Sequence, residues 1–244
     1  MNAPVERAAR SHRALMGVRD LIIAGALPAG TRLHEVALAE RLGISRTPLR
    51  AALARLGQEG LVEILPTGGY VVRGFSREDV IDAIELRGVL EGTAVRLAAE
   101  RGISAERMSA LNHLLDDLDV ALRGSEADMQ FDRYVELNAA LHETLWGLAS
   151  SAVRREIERV TSLPFASPSA FLDKQADVPE FRRSLYGAQA QHRAIVEAIE
   201  GREGARAEAL AREHARLARQ NLEFVLDENR SLIQRVPALA LVSG

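Results

Sequence analysis

The stretch GTRLHEVALAERLGISRTPLRAALARLGQEGL, residues 30–61, decides the fold of the N-terminal part of the chain. Its apolar residues follow a helical period twice, and a Gly-Ile-Ser segment between the two runs is typical of a tight turn. Arginines crowd the start of the second run, and a β-hairpin pattern follows directly. This order predicts a winged helix-turn-helix, a fold whose second helix suits the major groove of DNA.

Around this stretch the pattern predicts helices over 11–24, 35–42 and 45–59. Gly43 and Gly60 are expected to end the second and third helices, and Ser45 is expected to cap the third. Two β-favouring runs over 61–65 and 70–72 flank a Pro-Thr-Gly-Gly turn and predict the wing.

From residue 77 onward the pattern is helical, with spans over 77–101, 104–123, 126–149, 151–163, 180–200 and 203–229. Ser76 and Asp79 predict a capping box before the first of these helices. The expected fold class is mainly α, with an N-terminal winged helix-turn-helix followed by an all-α antiparallel bundle of about six helices. The predicted parts are a flexible arm over 1–10, a winged helix-turn-helix domain over 11–75, a helical domain over 76–230 and a C-terminal tail over 231–244.

Charge is unevenly distributed along the chain. Residues 1–75 hold ten arginines and six acidic residues, and the remainder holds 21 basic and 28 acidic residues, so the net charge of −3 divides into +4 and −7. A basic front and an acidic remainder favour a nucleic-acid module joined to a domain with other partners, although chance can also partition charge in this way.

Composition excludes several classes of protein. Because the chain has no cysteine, disulfides, iron–sulfur clusters and thiolate zinc sites are excluded. No run of about 18 apolar residues is present, and the N-terminus lacks the apolar core of a signal peptide. These features predict a cytoplasmic protein with no membrane partner.

The third predicted helix separates a core face from a basic face. Leu49, Leu53 and Leu56 recur at helical spacing and predict a buried stripe. Arg46 and Arg50 project from another face, and the proline between them stiffens the first turn. Guanidinium groups can bond bidentately to guanine or bind phosphate, which makes both arginines candidate DNA contacts. The alternatives are a solvated basic face and a protein-interaction module.

Three histidines are placed to meet within the helical domain. The glycine-flanked break at 201–204 predicts a helical hairpin, and folding the chain about position 203 sets His192 opposite His214. His142 lies on another helix, one turn after Asn138, on a side that leucines mark as buried. Three converging imidazoles suit a divalent transition metal. The alternative is that each histidine is hydrogen-bonded separately in the core or at the surface.

Arg87 is a candidate for binding an anion because it lies within an apolar helix, where an unpaired charge is costly. The alternative is a structural ion pair with Glu91, one helical turn later. Tyr134 and Trp146 are candidates for the same cavity, and the alternative for both is packing in the core.

Short motifs of the N-terminal part occur in a fixed order, with Pro-x-Gly over 28–30, Leu-Ala-Glu-x-Leu-Gly over 38–43, Ser-Arg-Thr-Pro-x-Arg over 45–50 and Glu-Gly-Leu over 59–61. Together they make the region 11–73 similar to the DNA-binding domain of GntR-type bacterial transcriptional regulators. The resemblance implies that the third predicted helix, which is the recognition helix of the fold, and the wing contact operator DNA. The contacting residues would be Arg32, Ser45, Arg46, Thr47, Arg50, Gly68 and Gly69.

The later motifs are Asn138-x-x-Leu-His142, Gln191-His192-x-x-Ile195 and Glu213-His214. In this order they resemble the all-helical FCD effector domain found in the FadR branch of the GntR regulators. In many such domains an aspartate and three histidines bind a metal that helps to hold a small carboxylate. The resemblance implies a zinc or nickel site formed by Asn138, His142, His192 and His214. We expect the effector site to be formed by the candidates named above, Arg87, Glu91, Tyr134 and Trp146. Asn138 stands where the aspartate is usual, which lowers the expected metal affinity.

The expected function is that of a homodimeric transcriptional regulator, by resemblance a repressor, on a palindromic operator in double-stranded DNA. The domain over 76–230 is expected to bind a small carboxylic acid and to supply dimer contacts. One alternative is a metal-sensing regulator in which the ion is the signal. Another is a metalloenzyme, but no glutamate accompanies the histidines at HExxH-like spacing, so no catalytic residue is assigned.

Overall fold

The computed structural model describes residues 3–125, 128–170, 172, 178–228, 236, 239 and 241–242. The chain forms two compact units, one built from residues 1–80 with 237–244 and the other from residues 81–236. Within the described part of the chain, no helix combines the length and the apolar character that a membrane span requires.

The first unit has a winged helix-turn-helix fold, as the sequence predicts. Its elements are α1 (Ala3–Ile23), β1 (Arg32–Leu33), α2 (Glu35–Leu42), α3 (Arg46–Gln58), β2 (Val62–Ile64) and β3 (Tyr70–Val72). The strands are antiparallel in the order β1-β3-β2, and Val71 of the central strand pairs with Arg32 on one side and Glu63 on the other.

The core of this unit lies where α1 packs against α3. Leu49, Leu53 and Leu56 of α3 have no exposed surface, as their spacing predicts. Gly43 adopts a left-handed conformation with a φ of 62° and ends α2. Ser45 occupies the N-cap position of α3, but its side chain caps no backbone group of the described helix, so that part of the prediction is wrong.

The wing closes through two glycines in the left-handed region. Gly68 and Gly69 have φ values of 84° and 88°, which side chains with a Cβ rarely adopt. The amide of Gly68 donates to the carbonyl of Leu65 at 2.8 Å, and the amide of Leu65 donates to the carbonyl of Gly69 at 3.0 Å. The predicted turn between two short strands is therefore confirmed.

Both ends of the chain contribute regular structure to the first unit. Helix α1 begins at Ala3 rather than at residue 11, so most of the predicted arm over 1–10 is helical, while residues 1–2 lie outside the described residues. Residues near the C-terminus also contribute. The amide of Phe75 donates to the carbonyl of Leu241 at 2.9 Å, and Phe75 forms a parallel bridge with Val242. Most of the predicted tail over 231–244 lies outside the described residues.

The second unit is helical in its described residues. It contains α4 (Arg77–Arg101, of which the first turn belongs to the first unit), α5 (Ala105–Ala121), α6 (Phe131–Trp146), α7 (Ser151–Thr161), α8 (Pro179–Glu200), α9 (Gly204–Glu223) and a π-helical turn (Phe224–Glu228). These are the six predicted helices. The predicted start of the third at residue 126 is too early, and residues 126–127 lie outside the described residues.

Close packing of α4 on α9 sets the position of the site described below. Helix α8 packs along α9 and also against α5. A Cβ added at Gly88 of α4 would lie 2.9 Å from the Cβ of Ala215, and one added at Gly92 would lie 3.0 Å from the carbonyl oxygen of Glu208. The absence of side chains at these two positions allows α4 to approach α9.

The predicted capping box is present at the start of α4. The Ser76 amide donates to Oδ2 of Asp79 at 2.8 Å, and the Asp79 amide donates to Oγ of Ser76 at 3.1 Å. The hydrogen bond from the Ser76 backbone is the largest cause that lowers the pKa of Asp79 below its ordinary value. Two backbone amides of the first turn thus gain partners.

We predict that Asp79→Ala lowers the free energy of unfolding by about 1 kcal/mol at neutral pH, because one amide loses its cap. Since the folded-state pKa is depressed, this stabilisation is present above the unfolded pKa and is lost as the pH falls through the folded pKa. Urea unfolding followed by circular dichroism should therefore show a difference from wild type that shrinks as the pH is lowered. Glu78→Ala is the matched control, because Glu78 is also acidic and in the first turn. An equal loss in both variants would assign the effect to the helix dipole instead.

Candidate functional sites

The basic face predicted for α3 is exposed at its N-terminal turn. The side chains of Arg46 and Arg50 keep 58% and 60% of their surface exposed, whereas Leu49 is fully buried. Ser45 and Thr47 are exposed beside them. Because α3 begins at Arg46, the backbone amides of this turn lack intrahelical partners. The turn therefore presents guanidinium groups, hydroxyls and amides that suit a negatively charged ligand.

One carboxylate contacts both exposed arginines. Nε of Arg50 donates to Oε2 of Glu35 at 2.7 Å, and Nη2 of Arg46 lies 3.5 Å from the same oxygen. Glu35 is the first residue of α2 and precedes the two arginines by 11 and 15 residues. Sequence reasoning missed this residue, because an acidic residue in a first helical turn indicates only a helix start.

The wing holds a second group of predicted DNA contacts. Nη2 of Arg32 donates to the carbonyl of Gly68 at 3.4 Å, and Gly68 and Gly69 are exposed at the tip of the hairpin. The predicted DNA-contacting residues thus form one group at the start of α3 and one at the wing tip.

Three histidines converge in the interior of the second unit. Nε2 of His192 lies 3.0 Å from Nε2 of His214, which lies 3.3 Å from Nε2 of His142. All three side chains are buried. As the hairpin geometry predicts, α8 ends at Glu200, α9 begins at Gly204, and His192 faces His214. Helices α6, α8 and α9 each bring one ring to a common point.

Each ring also has an oxygen near its Nδ1 atom. The pairs are Gln189 with His192 at 3.2 Å, Gln191 with His214 at 3.1 Å, and Glu91 with His142 at 3.4 Å. A carboxylate or amide oxygen only accepts, so in a neutral ring it keeps the proton on Nδ1 and leaves a lone pair on Nε2. Burial lowers the pKa of His192 and His214 well below the ordinary value, which favours neutral rings.

The orientation of Gln189 is itself fixed by its neighbours. Its Nε2 donates to the carbonyl of Leu115 at 3.0 Å and to Oδ1 of Asp119 at 2.7 Å, so its oxygen faces His192. Nε of Arg193 in turn donates to Oδ2 of Asp119 at 2.9 Å. Sequence reasoning missed Gln189, although its position three residues before His192 is a local signal for contact on a helix.

The three histidines fit a divalent transition metal. A tetrahedral ion with imidazole ligands at about 2.0–2.1 Å separates its ligand nitrogens by about 3.3 Å. The observed Nε2 separations of 3.0 and 3.3 Å are close to this value, and one ligand atom of each ring lies within 4.8 Å of the others. Neutral imidazoles are ligands that zinc and nickel accept, and the Nδ1 partners orient all three for this role.

Asn138, the fourth predicted ligand, is buried one turn before His142 on α6. Its Nδ2 donates to Oγ of Ser169 at 3.1 Å, which leaves Oδ1 as the atom able to bind a cation. Asn138 and His214 line the same cavity.

The predicted effector residues line two different cavities beside the histidines. Arg87 and Tyr134 line a cavity of about 30 Å³, and Glu91 and Trp146 line a smaller one of about 10 Å³. His214 borders both. Asn138 also lines the first of these cavities, so that cavity combines a guanidinium group, a phenol and an amide beside the histidines.

Arg87 is held by protein groups on several sides. Its Nη1 donates to the carbonyl of Ala166 at 3.1 Å, and its Nε lies 3.7 Å from Oε2 of Glu91. Burial raises the pKa of Glu91, but the charge of Arg87 and the contact with His142 outweigh burial and lower this pKa to about 2. Trp146 donates its indole N–H to Oε1 of Glu91 at 2.9 Å. The structure thus shows the ion pair that the sequence offered as the alternative role of Arg87.

Two family models match the chain. The model described as bacterial regulatory proteins of the gntR family matches residues 12–72, and the model of the FCD domain matches residues 82–217. The first match covers the helix-turn-helix and the wing. The second covers the helices that carry the histidine cluster.

Similar proteins carry names of transcriptional regulators. An uncharacterised HTH-type transcriptional regulator of Agrobacterium vitis is 32% identical over 148 residues, which are 60% of this chain and 84% of that protein. The Glc operon transcriptional activator of Escherichia coli K12 is 25% identical over 241 residues, 92% of this chain and 93% of that protein. A probable D-xylose utilization operon transcriptional repressor of Paenarthrobacter nicotinovorans is 41% identical over 86 residues, 34% of this chain and 38% of that protein.

A solved structure shares the fold. The E. coli protein McbR/YncC superimposes with a TM-score of 0.58 at 20% sequence identity, over 88% of this chain and 96% of that chain. At this identity the similarity establishes the fold and nothing finer.

We predict that Glu91→Ala lowers the free energy of unfolding by about 3–5 kcal/mol, because Arg87 is left buried without its carboxylate. Chemical unfolding with a chelator present measures this loss without a contribution from metal. Glu197→Ala is the control, because Glu197 pairs with Arg206 at 3.2 Å but is 70% exposed, and such surface pairs contribute at most about 1 kcal/mol. Similar losses in the two variants would show that Glu91 is not a buried structural charge.

Proposed function

Because the chain belongs to the GntR family of bacterial transcriptional regulators and carries an FCD domain, we propose that it is a repressor that binds a palindromic operator as a homodimer. A small carboxylic acid bound in the helical unit releases the operator. The repressor direction is supported by similarity to the probable D-xylose repressor, whereas the Glc operon relative is named as an activator. Two-fold symmetry places two recognition helices about one turn of DNA apart, on the order of 34 Å.

The observation that carries the DNA-binding proposal is the pair of exposed arginines on the N-terminal turn of α3. Arg46 and Arg50 contact guanine edges in the major groove. Ser45 and Thr47 bind phosphates through hydroxyls and helix-terminal amides. Arg32, Gly68 and Gly69 of the wing-tip group approach the DNA backbone or the minor groove.

For the helical unit, we propose that His142, His192 and His214 hold zinc or nickel, with Asn138 as a weaker partner. When bound, such an ion supplies a Lewis acid that attracts a carboxylate oxygen. The ring nitrogens are ready for this role because each Nδ1 proton is already held by a neighbouring oxygen.

The effector site that we propose is narrower than the set expected from the sequence. Arg87 and Tyr134 line the larger cavity and are assigned to the effector, since the charge of Arg87 favours an anion. Glu91 and Trp146 hydrogen-bond to each other and are assigned to orienting His142. The cavity is bordered by Arg87 of α4 and His214 of α9, so an acid bound there contacts both helices. Repacking of these helices on binding is the source of coupling to DNA, typically about 1–3 kcal/mol.

The second candidate function is a metal-sensing regulator in which the ion alone changes DNA affinity. It is favoured by the histidine geometry, since three oriented ligands suit an ion before any organic molecule is present. The two functions differ in which ligand releases the operator. No catalytic role is assigned to any residue, in agreement with relatives that are named as regulators.

We predict that Arg46→Ala and Arg50→Ala each weaken operator binding by about 1–3 kcal/mol, because each removes a base contact. Fluorescence anisotropy is measured at fixed salt with a duplex that the wild-type protein selects from a randomised pool. Arg101→Ala, which removes the same charge from the last turn of α4 in the other unit, should leave the affinity unchanged. Wild-type affinity in the Arg46→Ala, Arg50→Ala double variant would refute the groove assignment.

We predict that zinc or nickel raises the melting temperature of chelator-treated protein, because an ion that binds the folded state stabilises it. The substitution Gln189→Leu should weaken metal binding by about 10–100-fold, because His192 loses its Nδ1 partner. Competition with a coloured chelator gives the affinities. Gln220→Leu, the same substitution at an exposed position of α9, is the control and should retain the wild-type affinity. Equal affinities in both variants would remove the role assigned to Gln189.

The same protein then separates the two functions. Metal-free protein is titrated with the ion, and metal-loaded protein is titrated with a panel of small carboxylic acids, while DNA binding is followed by anisotropy. Release that requires an acid supports the proposed function, and release by the ion alone supports metal sensing. If neither the ion nor any acid of the panel changes DNA affinity, the proposed control by the helical unit is wrong.

A further inference from the structure

We infer that Glu35 is a positioning residue for DNA recognition. Its carboxylate holds Arg46 and Arg50 so that the start of α3 discriminates one base sequence from others. The inference rests on the proposed function, in which these two arginines contact bases.

The Glu35 carboxylate is less exposed than the two arginines that it contacts. The side chain of Glu35 keeps 24% of its surface exposed, whereas the two arginine side chains keep 58% and 60%. Within the described residues, Glu35 is the only acidic side chain that forms an ion pair with Arg46 or Arg50. Because Glu35 begins α2, its backbone is fixed by the helix and its charge is favoured by the helix N-terminus. A less exposed anion at a helix start thus contacts two more exposed cations.

The pairing geometry leaves base-contacting atoms available. Arg50 uses Nε to bond Glu35 at 2.7 Å, and a guanidinium group carries four further N–H donors on its two terminal nitrogens. Two parallel donors of this kind match the O6 and N7 acceptors of guanine. A side chain that is held before binding loses less conformational freedom when it meets the base.

The same carboxylate disfavours wrong partners. Phosphates attract any arginine without regard to sequence, and this attraction supplies most non-specific binding. A carboxylate beside both arginines offsets part of their charge and repels phosphates, so that contacts with an arbitrary duplex weaken. Contacts with the correct bases retain the benefit of the held geometry. The specificity ratio, which is the affinity for the correct sequence divided by the affinity for an arbitrary one, therefore increases.

The test is Glu35→Gln, which removes the charge and keeps the size of the side chain. The probes are the duplex selected by the wild-type protein and a scrambled duplex of the same length and composition. We expect affinity for the scrambled duplex to rise and affinity for the selected duplex to stay or fall. The specificity ratio should therefore drop by about tenfold or more, and the salt dependence on the scrambled duplex should steepen.

Glu40→Gln is the matched control, because Glu40 is exposed on the same helix α2 and its substitution changes the net charge equally. It should leave the specificity ratio at the wild-type value. Thermal unfolding checks that both variants fold. Should Glu35→Gln fail to fold, Glu35→Asp keeps the charge but withdraws it by one methylene, and it should lower the ratio in the same direction.

Two outcomes overturn the inference. An equal gain on both duplexes would show that Glu35 only competes with DNA for the arginines, and an unchanged ratio would show a surface ion pair without a role. The arginine variants in the same assay identify a failure of the proposed function. If Arg46→Ala and Arg50→Ala keep the wild-type specificity ratio, the proposed base contacts and the inference on Glu35 are both wrong. If those variants lower the ratio while Glu35→Gln keeps it, only the inference on Glu35 is wrong.

Discussion

The convergence of three imidazole nitrogens in a buried position is the constraint on which the second unit depends. His142, His192 and His214 direct Nε2 atoms toward one another at 3.0 and 3.3 Å, while oxygens near Nδ1 hold the protons on the far side of each ring. Lone pairs in that arrangement repel unless a cation lies among them. The neighbouring glutamines and Glu91 therefore orient each ring and determine which nitrogen carries the proton when the ring is neutral, as a set of metal ligands requires.

In each unit a carboxylate contacts side chains that are candidates for ligand binding. Glu91 accepts from Trp146 and faces His142, and its own charge is balanced by Arg87. Glu35 accepts from Arg50 and lies near Arg46. The difference lies in burial. Removing Glu91 leaves a buried cation, which costs stability, whereas removing Glu35 frees exposed cations, which changes binding more than folding.

The helical spacing of apolar residues and the positions of glycines were sufficient to predict the helices that carry the site. The leucine stripe of α3 predicted its buried face, and counting from the glycine-flanked break in the α8–α9 hairpin placed His192 opposite His214. Strand β1 was missed because two residues are too few to show an alternating pattern. Glu35 and Gln191 were missed because their partners are distant in sequence, so their contacts follow from tertiary packing alone. The separation of Glu91 from the larger cavity likewise depends on how α4 packs against its neighbours.

The helices that border the larger cavity have a consequence for control. In a close-packed interior, a ligand that needs more space than a cavity offers binds only if surrounding helices move. The residues that border this cavity include Arg87 of α4 and His214 of α9. The first turn of α4, Arg77 to Val80, belongs to the DNA-binding unit, as do residues 237–244 at the end of the chain. Helix α4 is therefore shared by the two units through its backbone. A ligand shifts the equilibrium between two arrangements of α4 only by its preference for one of them, so an acid that binds both arrangements equally well would carry no signal.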